Sequence, residues 1–151
     1  MYCILIGTTS GTGFVAAETV AKHGGEVLLL NRPSPRSVAS LKKLRAAVPE
    51  GKFIPIDCDL QDFASVRKAA EEIMEGYTSI YCVSNNAGIM AVPDDITEAD
   101  GFDKQIQTNH LSHFLLTREL FPLIVAASKE YGDARIVQHS SNARHMTRYT
   151  R

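Results

Sequence analysis

Three closely spaced glycines near the start of the chain have the residue types and spacing that phosphate binding requires. A short apolar run, Ile4-Leu5-Ile6, leads into Gly7-Thr8-Thr9-Ser10-Gly11-Thr12-Gly13, and a helical pattern follows at once. Gly7 and Gly11 can adopt backbone angles that a side chain forbids, and Gly13 lets the helix pack close to the strand. Because the first amides of such a helix favour an anion, the stretch predicts a phosphate site. An ordinary strand–turn–helix corner is the alternative.

The elements that must position this turn alternate along the chain. Short apolar runs predict five strands, at 2–6, 26–30, 53–56, 79–84 and 134–138. Apolar residues at helical spacing predict helices at 14–23, from Val38 after a loop at 33–37, after a cap at Asp62, and at 102–131, bent near Pro122. Alternation with short links is typical of a parallel sheet with helices on both faces. The sequence therefore predicts one doubly wound, three-layer α/β domain over residues 1–151.

Composition excludes several classes of function. The 151 residues are 44% hydrophobic and 22% charged, with a net charge of −1, which suits one folded domain. Basic residues are scattered, so no nucleic-acid surface is expected. We find no apolar run that approaches the length of a membrane span and no signal peptide, so the expected location is cytoplasmic.

The potential metal ligands are too sparse to predict a metal site. Cys3, Cys58 and Cys82 are widely spaced in strand-like runs, so buried reduced thiols are expected rather than a disulfide frame or zinc site. His110 and His113 share a helix face, but no carboxylate or Cys completes a ligand set at the spacing that metal binding needs. A packing or surface role is expected for both histidines.

Several motifs, in order and spacing, resemble the short-chain dehydrogenase/reductase family. The matching pieces are the glycine run, Asp59-Leu60, Asn85-Asn86-Ala87-Gly88, Asn109 and the run at 135–141. The run at 107–117 is similar to the branch that holds retinol dehydrogenases, protochlorophyllide reductases and WW-domain oxidoreductases. The resemblance implies a Rossmann-type sheet in the order 3-2-1-4-5. It also implies hydride transfer between a nicotinamide cofactor and a small carbonyl or alcohol substrate.

The same resemblance assigns the cofactor-binding positions. In the family, the residue at Asp59 hydrogen-bonds the adenine, the Asn at Asn86 braces neighbouring strands, and the glycine at Gly88 lets the cofactor approach. A strand-end cap is the alternative for Asp59, and an ordinary turn is the alternative for Asn85-Asn86. The full set is Gly7, Thr9, Ser10, Gly11, Gly13, Arg32, Asp59, Leu60, Asn86, Ala87 and Gly88.

The tip of the second strand favours NADP(H) over NAD(H). A carboxylate about 20 residues beyond the glycines would hold the ribose 2′-hydroxyl of NAD, whereas an Arg would meet the 2′-phosphate of NADP. The tip reads Leu30-Asn31-Arg32, without an acid, and Glu26 lies at the far end of the strand. Guanidinium and phosphate form a charge-assisted, two-pronged pair. The alternative for Arg32 is a solvated loop residue.

Two catalytic positions follow from the resemblance. Ser141, rather than its neighbour Ser140, matches the family's catalytic Ser, which hydrogen-bonds the substrate oxygen; a plain loop start is the alternative. Asn109 matches the Asn that holds a water feeding the proton relay, although a mid-helix Asn costs only about 0.5 kcal/mol against Ala. The family's Tyr-x-x-x-Lys pair has no match here. Tyr149 is eight residues past Ser141 and has no Lys four residues later.

We therefore expect the sequence to be part of a longer protein, with the fifth strand as a bare edge. A shortened protein that serves as a catalytically silent NADP(H)-binding sensor or interaction module is the alternative. A P-loop is excluded because Phe14 stands where that motif needs Lys. The long helix is the surface expected to mediate any homo-oligomer.

Overall fold

Five parallel strands form one sheet at the centre of the computed structural model, which describes residues 1–93 and 95–142. Their order is β3-β2-β1-β4-β5, as predicted. The strands are β1 (Tyr2–Ile6), β2 (Glu26–Asn31), β3 (Phe53–Asp57), β4 (Cys82–Asn85) and β5 (Arg135–Gln138). The helices are α1 (Gly11–Lys22), α2 (Pro35–Ala47), α3 (Phe63–Gly76), α4 (Lys104–Ile106) and α5 (Ser112–Tyr131), with a π-helical turn at Gln107–Leu111.

The central strands are apolar throughout because helices cover both faces of the sheet. Alternate residues of β1 point to opposite sides. Ile4 and Ile6 pack with the buried side chains of α3 and α5. Cys3 and Leu5 pack with those of α1 and α2. This confirms the doubly wound α/β architecture, with a hydrophobic core on each side of the sheet.

The predicted burial of the cysteines is confirmed for Cys3 and Cys58. All three are free; Cys3 and Cys58 are buried, and Cys82 is half-buried. Cys3 and Cys82 are register partners on neighbouring strands. Burial raises the pKa of the Cys58 thiol to about 12, which keeps this side chain protonated and unreactive at neutral pH.

Capping residues explain where α2 and α3 begin, whereas α1 begins at Gly11 rather than at the predicted position 14. Asp62 caps α3 as predicted, with Oδ1 accepting from the N–H of Ala64 at 2.8 Å. The helix α2 begins at Pro35, inside the segment predicted as a loop. Ser34 and Ser37 form a reciprocal capping box, and proline suits the first helical position. The Pro/Ser run therefore starts the helix rather than preceding it.

The long helix also differs from the prediction. It begins at Lys104 rather than 102, because Asp103 accepts from the N–H of Ile106 at 2.8 Å and caps it. The π-helical turn interrupts it, after which α5 continues through Pro122 and ends at Gly132, whose φ is 76°. Gly132 is the predicted terminator. The patterns used to predict the helix gave no indication of this π-helical turn.

One helix of the fold is long and apolar enough, by length and composition alone, to cross a membrane, although no such segment was expected from the sequence. The helical stretch Lys104–Tyr131 has a mean hydropathy of 1.2 and meets both criteria; 39% of its most apolar window is buried in the fold. The core helix of a soluble protein passes the same test, so the finding carries little weight.

Strand β4 is shorter than the predicted 79–84. Ser79 and Ile80 are buried, but the N–H of Ile80 donates to Leu123 O of α5 at 3.1 Å. The apolar run therefore begins by bonding to a helix and joins the sheet only later. At the other end of the chain, β5 is exposed along its length. Its Val137 side chain is 48% exposed, in agreement with the predicted bare edge.

Candidate nucleotide-binding site

The carboxyl ends of β1, β2, β3 and β4 surround a cleft of about 230 Å³. Parallel sheets bind ligands at this edge, next to the point where the strand order reverses. Here the order reverses between β1 and β4. The cleft brings together most of the predicted cofactor residues: Gly7, Thr9, Arg32, Asp59, Leu60, Ala87 and Gly88.

The glycine turn has the backbone geometry that its sequence predicts. Gly7 and Gly11 have φ of 78° and 59°, a region that favours glycine. A Cβ on Gly7 would lie 2.7 Å from Ala87 Cβ. A Cβ on Gly13 would lie 2.2 Å from Gly7 O, so only glycine allows α1 to approach β1 this closely. A Cβ on Gly11 would meet nothing within 4 Å, so the turn is open at Gly11.

Asn86 ties three elements to the turn. Its Nδ2 donates to Ile6 O and Gly7 O, both at 3.1 Å. Its Oδ1 accepts from Thr12 Oγ1 at 2.8 Å and lies 2.9 Å from Nδ1 of His139. The bracing role predicted for Asn86 is therefore confirmed between β1, α1 and the end of β5. The contact with His139 was not anticipated, because nothing in the local sequence links the two residues.

The tip of β2 is fastened to the turn through Asn31. Its Oδ1 accepts from the N–H of Thr8 at 2.8 Å, and its Nδ2 donates to Thr8 Oγ1 at 2.8 Å. Glu26 lies at the opposite end of the strand and pairs with Lys52 at 2.9 Å. Strand β2 thus carries no acid of its own at this tip, although Asp57 of β3 is the register partner of Asn31.

Two arginines stand at the same tip. Arg32 is exposed and lines the cleft. Arg36, which the sequence analysis did not single out, also lines it, and its Nη2 donates to Ser10 Oγ at 2.5 Å. Among residues 1–93 and 95–142, neither guanidinium lies within ion-pair distance of a carboxylate.

Asp59 and Leu60 form the wall that follows β3. Asp59 Oδ1 accepts from the N–H of Gln61 at 2.9 Å, while its own N–H donates to Ser65 Oγ at 2.9 Å. Ser112 Oγ donates to Leu60 O at 2.6 Å, which anchors this loop to α5. These hydrogen bonds hold the wall in place. One carboxylate oxygen of Asp59 caps the end of β3 by accepting from Gln61, which is the alternative role considered for this residue.

Thr108 is a site residue that the sequence analysis missed. It lines the cleft from the π-helical turn, is 6% exposed, and its Oγ1 has no hydrogen-bond partner among the described residues. A buried hydroxyl without a partner costs about 1–3 kcal/mol. This hydroxyl is therefore an unpaired polar atom buried in the wall of the cleft.

Asn109 braces the loop after β4. Its Oδ1 accepts from the N–H of Ile89 and its Nδ2 donates to Ile89 O, both at 2.8 Å. Its backbone carbonyl lies 3.1 Å from Nδ1 of His113. Burial lowers the pKa of His113, and this hydrogen bond partly opposes that shift. The predicted role of Asn109 in holding a relay water stays a prediction.

The reacting end of the site is only partly described. Ser141 lies just past β5 and is exposed; its contact with the substrate oxygen stays a prediction. Tyr149 lies outside the described residues. Across the part of the chain that the structure describes, no group of three or more His, Cys, Asp or Glu could hold a metal ion.

A larger groove of about 860 Å³ runs along the glycine turn and α1 and shares Thr9 with this cleft. Apolar side chains such as Phe14, Val15 and Val20 line it, and so do Ser10 and Gly11 of the glycine turn. No residue from the carboxyl ends of β2, β3 or β4 lines it, so it lacks the strand-end position at which parallel sheets bind ligands. The smaller polar cleft at the strand ends is therefore the candidate site.

Known proteins resemble the chain in sequence over nearly its whole length. The family model described as short chain dehydrogenase matches residues 2–151. An uncharacterized oxidoreductase of Schizosaccharomyces pombe is 37% identical over 142 residues, which cover 93% of this chain and 42% of that protein. Retinol dehydrogenase 12 of Bos taurus is 32% identical over 143 residues, which cover 95% of this chain and 44% of that protein. The chain thus spans less than half the length of these relatives.

Solved structures share the fold. An NADH-dependent reductase responsible for alginate metabolism, in another crystal complexed with NAD, is similar with a TM-score of 0.77 and 25% identity over 94% of this chain and 58% of its own. An NADPH-dependent 3-quinuclidinone reductase from Rhodotorula rubra has a TM-score of 0.74 and 25% identity, over 99% of this chain and 55% of its own. With the glycine turn, the strand order and the family match in agreement, the chain belongs to the short-chain dehydrogenase family of oxidoreductases.

Proposed function

We propose that the chain forms the cofactor-binding part of an NADP(H)-dependent oxidoreductase that interconverts a carbonyl compound and an alcohol. One observation carries the choice of cofactor: at the tip of β2, Asn31 fastens the strand and Arg32 remains without a carboxylate partner among the described residues. A carboxylate at this tip would instead select NAD.

The glycine turn supports pyrophosphate binding in this proposal. Its backbone is held open by Gly7 and Gly11 and braced from behind by Asn86. Amides at the start of α1 favour an anion, because the helix dipole and the unpaired N–H groups act together. Preorganisation of this kind reduces the ordering cost of binding.

The adenine end would rest between the wall after β3 and the wall after β4. Asp59 offers a carboxylate that can accept from an exocyclic amine, and Leu60 offers an apolar surface. Thr108 lines the same cleft from the π-helical turn. Gly88 has no side chain, so its side of the cleft stays open. The nearest atom that a Cβ there would meet is Asn109 Oδ1, at 3.4 Å.

The bound nicotinamide would supply the hydride for the carbonyl carbon. Ser141 would orient the substrate oxygen through a hydrogen bond, and Asn109 would support the proton relay. The Tyr and Lys that donate the proton in the family have no match in the 151 residues. We therefore propose catalytic turnover for the whole oxidoreductase. For this chain we propose cofactor binding.

Calorimetric titration with NADPH and NADH tests the proposal. We expect NADPH to bind more tightly, and Arg32→Ala to weaken NADPH by roughly tenfold while leaving NADH within twofold. Lys42→Ala is the matched control, because it removes one exposed positive charge from α2 and lies outside the lining of the cleft. Tighter binding of NADH would overturn the choice of cofactor. Binding of neither dinucleotide would overturn the site itself.

We further propose that the outer face of α5 contacts a second copy of the protein. Phe114 and Phe121 are 62% and 52% exposed on this helix, and exposed aromatic residues are typical of interfaces. Sedimentation analysis should show an oligomer that Phe121→Glu dissociates; a monomeric native protein would contradict this.

The free cysteines fit our proposal of a cytoplasmic location, which fractionation of cells would check.

A further inference from the structure

Arg36 lies at the cleft because α2 begins at Pro35 and not at Val38, where the sequence predicted its start. With Ser34 as the N-cap and Pro35 as the first helical residue, Arg36 lies in the first turn of α2. Its guanidinium reaches across to the glycine turn, where Nη2 donates to Ser10 Oγ at 2.5 Å. The contact joins residues 26 positions apart and directs an exposed, flexible side chain toward the turn.

The charge of Arg36 is not compensated within the described residues. Several other basic side chains form ion pairs there: Lys22, Lys52, Lys104, Arg118 and Arg135. Arg32 and Arg36 form none, although both line the same cleft. Asp59, the carboxylate among the lining residues, follows β3, whereas the two arginines follow β2. Asp57 of β3 is the register partner of Asn31, but among the described residues neither guanidinium lies within ion-pair distance of a carboxylate. Both arginines therefore remain unpaired at the tip of β2.

The backbone of α2 contributes little to anion binding at this point. Ser34 Oγ accepts from the N–H of Ser37 at 3.1 Å, and Ser37 Oγ donates to Ser34 O at 2.8 Å. The N–H of Ser37 is thereby occupied, and Pro35 has no N–H to offer. The two guanidinium groups are therefore the main donors for an anion at this point.

We propose that Arg36 is a second cationic arm for the 2′-phosphate of NADP(H), held in position by Ser10, with Arg32 as the first arm. This inference rests on the proposed function and adds a specificity-determining residue to it. A phosphate with nearly two negative charges is matched by two guanidinium groups, each of which presents paired N–H donors. Ser10 keeps one arm near the turn before the ligand arrives, which reduces the entropy lost on binding.

Calorimetry with two pairs of ligands isolates the phosphate. NADPH is compared with NADH, and 2′,5′-ADP with 5′-ADP, for the native chain, Arg36→Ala, Arg36→Gln and Lys42→Ala. We expect Arg36→Ala and Arg36→Gln to weaken NADPH and 2′,5′-ADP by roughly tenfold and to leave NADH and 5′-ADP within twofold. Lys42→Ala should change none of the four. Arg36→Gln removes the charge but keeps a donor for Ser10, so it covers the case in which Arg36→Ala disturbs the fold.

The outcomes separate this inference from the proposed function. If the native chain prefers NADPH and both Arg36 variants keep that preference, Arg36 is not a phosphate arm, and only this inference is overturned. Equal weakening of NADPH and NADH would assign Arg36 to the structure of the turn and would also overturn it. If the native chain binds neither dinucleotide, the proposed function fails first and this inference fails with it.

Discussion

The two ends of the predicted reaction site are built very differently. Around the glycine turn, Asn86 and Asn31 each make hydrogen bonds to neighbouring elements, and the strands beneath them are buried. Around the position of Ser141, strand β5 is exposed along its length. The turn is therefore positioned by residues on several elements, whereas the substrate end is positioned by one edge strand.

This difference indicates which part of the function the described chain can perform. Cofactor binding needs a backbone that is held in a fixed conformation. The glycine turn is held in this way by Asn31 and Asn86, within residues 1–93. Substrate binding needs a precisely placed Ser, and misplacement by about 1 Å can cost roughly 100-fold in rate. We therefore expect the chain to bind nucleotide far better than it supports turnover. The following substitutions test this contrast.

The largest effect is expected at Gly13. A Cβ there would lie 2.2 Å from Gly7 O and 2.5 Å from Asn86 Nδ2, and neither the backbone nor the braced amide can yield easily. Gly13→Ala should lower the free energy of unfolding by about 3 kcal/mol. Gly76→Ala is the control, because a Cβ there meets nothing within 4 Å, and should be neutral or slightly stabilising. Urea denaturation measures both; similar values would mean that α1 can move away from β1.

A smaller effect is expected at Asn86, with Asn109 as its matched partner. Asn86→Ala leaves Ile6 O and Gly7 O without their side-chain donor and should cost about 2 kcal/mol. Asn109→Ala releases only the exposed main chain of Ile89, which water can satisfy, and should cost about 0.5 kcal/mol. Thermal melting of both variants provides the comparison. A larger loss for Asn109 would reverse our ranking of the two regions.

The smallest effect is expected on β5. Val137 is 48% exposed, whereas Val83 on neighbouring β4 is fully buried. Val137→Ala should change the free energy of unfolding by about 0.5 kcal/mol or less, and Val83→Ala should lower it by about 2 kcal/mol. Equal losses in urea denaturation would show that another part of the protein, or a second copy, covers the edge in solution.

The sequence predicted the features that local pattern determines. The alternation of strands and helices predicted the parallel sheet, the family resemblance supplied the strand order, and the glycine conformations followed from their spacing. The cap at Asp62 and the end of α5 at Gly132 also agree with the structure. Apart from the strand order, these features depend on residues that are neighbours in the chain, so the local sequence is sufficient to predict them.

The features that the sequence analysis missed depend on distant contacts or on weak competition between local structures. The start of α2 depends on a capping box within a run that also reads as a loop. The contact between Arg36 and Ser10 joins residues 26 apart, and that between His139 and Asn86 joins residues 53 apart. The π-helical turn and the buried hydroxyl of Thr108 become visible only when the helix is packed against the strand ends.

The double contact of Asn31 with Thr8 restricts how the coenzyme preference could be redesigned. A change toward NAD requires an acid at this tip, and Asp is the substitution that keeps an oxygen facing the Thr8 amide, with the threonine hydroxyl turned to donate. Glu would carry the same charge on a longer arm and lose that fit. Engineering at position 31 therefore has to satisfy the strand junction first and the ribose second.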